Sequence, residues 1–219
     1  MKVLITVGAT EEPIDPIRYI TNASSGKMGK AVAEEALKRN HSVTIIAAII
    51  KVTLPRNKNV KIYRVRTANE MIIKTMDELS NRYDILISTA AIADYTPIYS
   101  EKKIKSGNKG LTIKLKPNPK LTRMARERFK KLYVVAFKAE YNTSLLELVR
   151  SAYMKLRDEN LDLVVGNDVK KNRMGSDENE VCIVNKRGEY VLISRDYKER
   201  IAERIWDIIE EEFGNYSKD

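Results

Sequence analysis

The regular exchange of two hydrophobic periods is what most constrains this chain. Short strand-like runs rich in Val, Ile, Leu and Ala recur at residues 3–7, 42–48, 60–65, 84–89, 133–137 and 161–165. Between them lie longer stretches whose apolar side chains return every three or four residues, as at Leu145, Val149, Ala152 and Leu156. The first pattern belongs to strands covered on both faces, the second to helices with one buried stripe. The spacing predicts helices over about residues 26–39, 68–80 and from Pro119 to about 129, and a last helix that carries Ile201, Ile205, Ile208 and Ile209 inward. Strand and helix in alternation predict a single α/β domain over residues 1–219, its sheet mostly parallel and flanked by helices. Two segments break the rhythm. Residues 181–184 and 190–193, joined around Lys186-Arg187-Gly188, read as a hairpin. The run Leu111-Thr112-Ile113-Lys114-Leu115-Lys116 alternates with period two, which predicts a small β extension with one wet face.

Composition narrows the class. With 43% hydrophobic and 32% charged residues, the chain can bury a core and is not of the disordered type. No apolar run approaches the ~18 residues of a membrane span. A lone cysteine, Cys182, excludes an internal disulfide framework and fits a reducing compartment. The first residues enter a strand directly, without the parts of a signal peptide, so a cytoplasmic location is expected. The formal net charge of +10 suits either an anionic partner or a lysine-rich surface. Between Glu101 and Lys131 the balance is extreme: twelve Lys or Arg residues face only two carboxylates, Glu101 and Glu127.

In a parallel sheet, ligands bind beyond the carboxyl ends of the strands. Three loops that follow apolar runs carry unusual content: residues 8–29, Ala90-Ala91-Ile92-Ala93-Asp94-Tyr95, and Gly166-Asn167-Asp168. The segment Ser24-Ser25-Gly26-Lys27-Met28-Gly29 offers small residues, hydroxyls and bare amides at a helix start, with Ser24 and Ser25 available as caps. Such a start can hold a phosphate through orphan amides and the helix dipole. It also suits an ordinary capped helix with close glycine packing. Glu34 with Lys38 and Glu35 with Arg39 are expected to pair along that helix. The segment is not a Walker A loop, since Lys27 precedes Met28 and no glycine stands five residues before Gly26. Nor does the dinucleotide fingerprint follow the first strand, and the second ends at Ala47-Ala48 with no acid for a ribose.

Taken in order, the motifs are more specific. EPIDPIRYITNASSGKMG (residues 12–29), AAIADY (90–95), KIKS (103–106), LTIKLKPNPKL (111–121), AFKAE (136–140) and GND (166–168) follow one another along the chain. On these pieces the sequence resembles the phosphopantothenoylcysteine synthetase family, the ligase half of a bifunctional flavoprotein of coenzyme A synthesis. It departs from that pattern at Ala9, Ala136, Tyr141 and Gly166. The resemblance implies a Rossmann-like fold and a two-step ligase. The carboxylate of 4′-phosphopantothenate attacks a nucleoside triphosphate, CTP rather than ATP, and the amine of L-cysteine then displaces the nucleotide. It implies Mg²⁺ with the nucleotide, metal ligands unassigned, and no flavin in this half. It further implies nucleotide contacts at Gly8, Ser24, Gly26, Gly29, Phe137 and Asn167. Phosphopantothenate contacts fall at Asn22, Ala90, Ala91 and Asp94. Arg18 resembles a substrate arginine supplied by the other subunit of a homodimer with shared sites, and Lys103 the lysine of a flap over the triphosphate. Asn22, Lys103 and Arg18 form the expected catalytic set.

Each of these residues also has a plainer reading. Asp94 can cap a turn, Phe137 can be core, Asn167 and Asp168 can shape a loop, and Lys103 can be a solvated lysine. His41 has no second histidine with which to share a metal, and Cys182 alternates with apolar neighbours in a short strand. A dinucleotide-dependent oxidoreductase lacks its fingerprint here. A nucleic-acid module lacks aromatics among the lysines, so neither nucleic acid nor membrane is an expected partner.

Overall fold

The structure is a computed structural model, and it describes residues 1–107 and 110–216. The chain runs β1 (Lys2–Val7), β2 (Glu11–Pro13), β3 (Tyr19–Thr21), α1 (Lys27–Lys38), β4 (Ser42–Ala47), β5 (Val60–Arg64), α2 (Ala68–Leu79) and β6 (Ile85–Ser88). It continues with β7 (Tyr95–Pro97), β8 (Leu115–Pro117), α3 (Leu121–Arg128), β9 (Tyr133–Glu140) and α4 (Leu145–Glu159). Last come β10 (Leu163–Asp168), β11 (Glu178–Asn185), β12 (Tyr190–Tyr197) and α5 (Lys198–Tyr216).

Eight strands form one sheet in the order β5-β4-β1-β6-β9-β10-β11-β12. The first six are mutually parallel, and the hairpin β11–β12 adds antiparallel at one edge. Period-two alternation divides each buried strand between two cores. Val3, Ile5 and Val7 of β1 face the layer of α1 and α5, while Leu4 faces the layer of α2, α3 and α4. The mostly parallel Rossmann-like sheet expected from the sequence is thus observed. β1 lies between β4 and β6, and the chain leaves it first toward β4 and later returns toward β6. Between their carboxyl ends lies the topological switch point, where such sheets open a crevice.

Local chemistry fixes the helix ends. Ser144 caps α4 in a reciprocal box with Glu147, and Asn160 ends the helix in the left-handed region at φ 51°. Thr67 caps α2 by accepting from the Glu70 amide at 3.1 Å. Along α1, Glu35 pairs with Arg39 at 3.0 Å as expected. The expected Glu34–Lys38 pair is not the one formed, because Lys38 turns to Glu35 at 3.2 Å and Glu34 to Lys30 at 3.6 Å. Trp206 of α5, fully buried, donates its indole N–H to Val32 O of α1 at 2.9 Å and ties the two helices together.

Two short ribbons stand outside the sheet. β2 pairs antiparallel with β3 inside what the sequence presents as a continuous polar loop. The strand expected at residues 111–116 narrows to Leu115–Pro117, which pairs with β7. Two of its apolar side chains find no cover within the chain: Leu111 and Leu115 are exposed, while Ile113 is half-buried. Pro117, expected to end the strand, sits in it opposite Tyr95, where a two-stranded ribbon leaves its nitrogen without a ladder partner to miss.

Candidate active site

At the switch point a cavity of about 480 Å³ opens among the segment between β3 and α1, the loop after β6, the end of β9 and the loop after β10. Its floor is the start of α1. Gly26 occupies the N-cap position at φ 80°, with no side-chain cap, and the first turn holds no acidic residue. The serine caps expected from the sequence are therefore not made: Ser25 Oγ reaches only the Lys27 amide, at 3.4 Å. A left-handed residue here is a glycine position, and a Cβ on Gly26 would meet Ile50 at 2.8 Å. Gly29 is confined more tightly, since a Cβ would run into Thr89 Oγ1 and approach Val7 at 2.8 Å. These glycines let α1 start hard against the ends of β1 and β6 with its first amides turned to the cavity mouth. Such an end carries partial positive charge and attracts anions.

The second wall is the AAIADY loop. The Ala91 amide donates to Gly8 O at 2.8 Å, Thr10 N to Ala91 O at 3.3 Å, and Ala93 N to Thr10 Oγ1 at 3.0 Å. Asn22 crosses to it, its Nδ2 donating to Ala91 O at 3.2 Å. Asp94 pairs with Lys120 at 2.5 Å, and its carbonyl accepts from the Asn118 amide at 2.8 Å. Of the expected residues, Asn22, Ser24, Gly26, Gly29, Ala90, Ala91, Asp94, Phe137 and Asn167 all line this one cavity. Phe137 lies half-buried, packed against the α1–α5 core.

Three expected residues stand apart from the wall. Gly8, at φ 93°, has no room for a Cβ because Ile49 O lies there. Arg18 is held by Asp15 and by Ile104 O, and Lys103 is exposed on the segment beside it. Burial also accounts for the two residues set aside: His41, 7% exposed, bonds Glu210 at 3.0 Å, and burial lowers its pKa below the usual imidazole value. Cys182 is wholly buried, and burial pushes its thiol up.

The far wall carries groups that no sequence motif announced. Arg173 and Lys198 line the cavity with Lys27, Lys138 and Lys155. Lys27 reaches from the start of α1 to Gly175 O and Asp177 between β10 and β11, both at 2.7 Å. Lys198, 9% exposed, donates to the carbonyls of Ser176 and Glu178, and burial with Lys27 nearby lowers its pKa. Lys138 pairs with Glu140 at 3.2 Å. With Lys120, six cationic side chains surround the cavity, against one carboxylate, Asp94, among the described lining residues. That ratio suits a polyanion. It does not suit a protein-held metal: no three His, Cys, Asp or Glu side chains gather to hold one among the described residues. A magnesium ion fits such a wall when phosphate oxygens and water complete its shell.

Comparison with known proteins shows the family and the fold. The family described as DNA/pantothenate metabolism flavoprotein C-terminal domain matches residues 1–213. A coenzyme A biosynthesis bifunctional protein CoaBC from Thermococcus kodakarensis is 42% identical over 211 residues, covering 95% of this chain and 51% of that protein. The chain thus spans about half the length of the curated relatives it matches. The crystal structure of the DNA/pantothenate metabolism flavoprotein from Streptococcus pneumoniae superposes with a TM-score of 0.86 at 27% identity, covering 96% of this chain and 99% of that one. The C-terminal domain of a CoaBC protein gives 0.80 at 30% identity, covering 98% and 96%. No helix among the described residues is long and apolar enough to cross a membrane. By sequence and by fold, the chain belongs to the DNA/pantothenate metabolism flavoprotein C-terminal domain family.

Proposed function

We propose that this chain joins 4′-phosphopantothenate to L-cysteine at the expense of a nucleoside triphosphate, by resemblance CTP. The observation that carries the reading is the cavity wall of six cations and one carboxylate around the uncapped start of α1. The first step would bring a carboxylate and a phosphate monoester against a triphosphate, and those charges repel unless fixed positive groups are already in place. The substrate carboxylate attacks the α-phosphorus, forming the acyl-cytidylate and releasing pyrophosphate. The cysteine amine then attacks the acyl carbon and CMP leaves. Both steps exchange acyl and phosphoryl partners without a change of oxidation state, so the chemistry needs no flavin.

In this reading the α1 amides, with Ser24, Gly26 and Gly29, receive the triphosphate, and Phe137 and Asn167 border the nucleoside. Asn22, Ala90, Ala91 and Asp94 orient phosphopantothenate, and Gly8 shapes the turn beneath. Lys103 lies over the phosphates and meets charge as it develops. Magnesium would arrive with the nucleotide and neutralise part of the triphosphate charge. Arg18 acts from the second subunit of a homodimer. Support for the dimer is an uncovered apolar surface on the two small ribbons: Ile17, Tyr19, Ile20, Tyr95, Ile98, Tyr99, Leu111 and Leu115 are all exposed there. The reading is tested by incubating the chain with phosphopantothenate, cysteine and each nucleoside triphosphate in turn. Amide product is expected with CTP above the rest. No amide with any nucleotide would remove the reading.

A further inference from the structure

Asp15 is a carboxylate with more donors than its turn requires. It lies between β2 and β3 and is 2% exposed. Its Oδ1 accepts from the amides of Ile17 at 3.0 Å and Arg18 at 2.9 Å, which is enough to make the turn. Its Oδ2 does something else. It accepts from Arg18 Nε at 3.0 Å, from Arg18 Nη2, and from the amide of Ile104 at 3.1 Å, a residue 89 positions away. Arg18 Nη2 donates onward to Ile104 O at 2.6 Å, so one ion pair holds both backbone groups of Ile104. A second tether lies four residues earlier, where the Ser100 amide donates to Ile14 O at 2.9 Å. Glu101, Lys102 and Lys103 therefore form an exposed arch with both feet on the β2–β3 turn. With its ends fixed, so short an arch can move its lysines only a few ångströms.

We propose that Asp15 is a positioning residue: through Arg18 and Ile104 it holds Lys103, so that Arg18 and Lys103 reach the active site as one preset unit. The inference rests on the ligase reading for what Lys103 does, though not for the clasp itself. The clasp uses Nε and Nη2 of Arg18 and not Nη1, and the side chain stays 37% exposed. The Arg18 guanidinium beside Asp15 holds its carboxyl far below the usual carboxylate range, against the opposing effect of burial, so the clasp stays charged at working pH.

Asp15→Asn separates the turn from the clasp. The amide oxygen can still receive Ile17 and Arg18 N–H, but an NH₂ group replaces the oxygen that receives Arg18 and Ile104. Turnover of Asp15→Asn, Lys103→Gln and the double variant is measured, with hydrogen exchange over residues 98–107. Asp15→Asn is expected to lower kcat on the order of 10-fold or more, as misplacement of a catalytic group does. The double variant is expected to lose clearly less than the product of the two single losses, the remainder beyond Lys103→Gln reporting the loosened Arg18, and Ile104 exchange to quicken. Losses that multiply in the double variant would overturn the proposal, since residues acting independently add in free energy. Unchanged Ile104 exchange would overturn it too, and that arm decides even if the wild-type chain proves to lack ligase activity. Arg18→Lys provides a second variant that keeps the Asp15 charge pair but cannot fork to Ile104 O. It should quicken Ile104 exchange less than Asp15→Asn does, since the Ile104 amide keeps its Asp15 acceptor.

Discussion

Asp168, next to the cavity-lining Asn167, is a buried carboxylate that ties the segment after β9 to the segment after β10. It is 4% exposed, and its oxygens accept from the amides of Lys170 at 2.8 Å, Asn142 at 2.9 Å and Thr143 at 3.1 Å. Burial alone would raise its pKa, but these amides outweigh it and hold the carboxyl below the ordinary aspartate value. A depressed carboxylate stabilises the fold above its unfolded pKa of ~3.9, and that contribution is lost as pH falls through the folded value. Asp168→Asn is therefore expected to cost about 1.5–3 kcal/mol near neutrality, the worth of hydrogen bonds to a charged group. Denaturant melts should show the gap from wild type closing as pH drops below about 4. A gap constant with pH would mean the charge contributes nothing. In the sequence Asp168 was legible only as a shaper of its loop. Gly26 and Gly29 were easier to read, because glycine at a helix start has few reasons to be there. Arg173 and Lys198 were illegible: they reach the cavity only through the fold, with Lys27 bonding Gly175 across 148 positions.

At the level of elements, α1 is where sequence and structure agree in position and differ in detail. Its span followed from periodicity, yet its start does not use the serines that looked like caps. A cap donates nothing to a ligand, whereas an uncapped first turn leaves its amides free for one. Sequence cannot distinguish the two, because both begin with small hydroxylated residues. The β2–β3 ribbon was hidden for another reason. Its exposed Tyr19, Ile20 and Thr21 bury no apolar face within the chain, so no period marks it. Gly29 offers the test at this scale. Gly29→Ala places a methyl against Thr89 and Val7, and α1 must lift from the sheet, at a cost of about 1–3 kcal/mol. Nucleotide affinity should fall with stability, measured by titration and by melting. Full affinity in a variant that has lost that stability would show that α1 does not form the phosphate seat.

On the scale of the whole molecule, the mostly parallel sheet and its helix layers were legible because each buried strand repeats the same two-faced pattern. The uncovered ribbons were not, since alternation in residues 111–116 announces an apolar face without saying what covers it. A second copy of the chain would cover it and bring Arg18 to a neighbouring site. If so, inactive Arg18→Ala mixed with inactive Asn22→Ala under subunit exchange should recover roughly a quarter of wild-type activity, since about half the dimers carry one intact site. The intact site takes Arg18, and the Lys103 clasped to it, from the Asn22→Ala subunit. No recovery despite proven exchange would place Arg18 and Asn22 in the same subunit's site. The central claim is that the cationic cavity activates a carboxylate by attack on an α-phosphorus. Phosphopantothenate labelled with ¹⁸O in its carboxylate tests this most directly. The account predicts that one labelled oxygen leaves on CMP for each amide formed, whereas label in inorganic phosphate, with a nucleoside diphosphate as the other product, would contradict it.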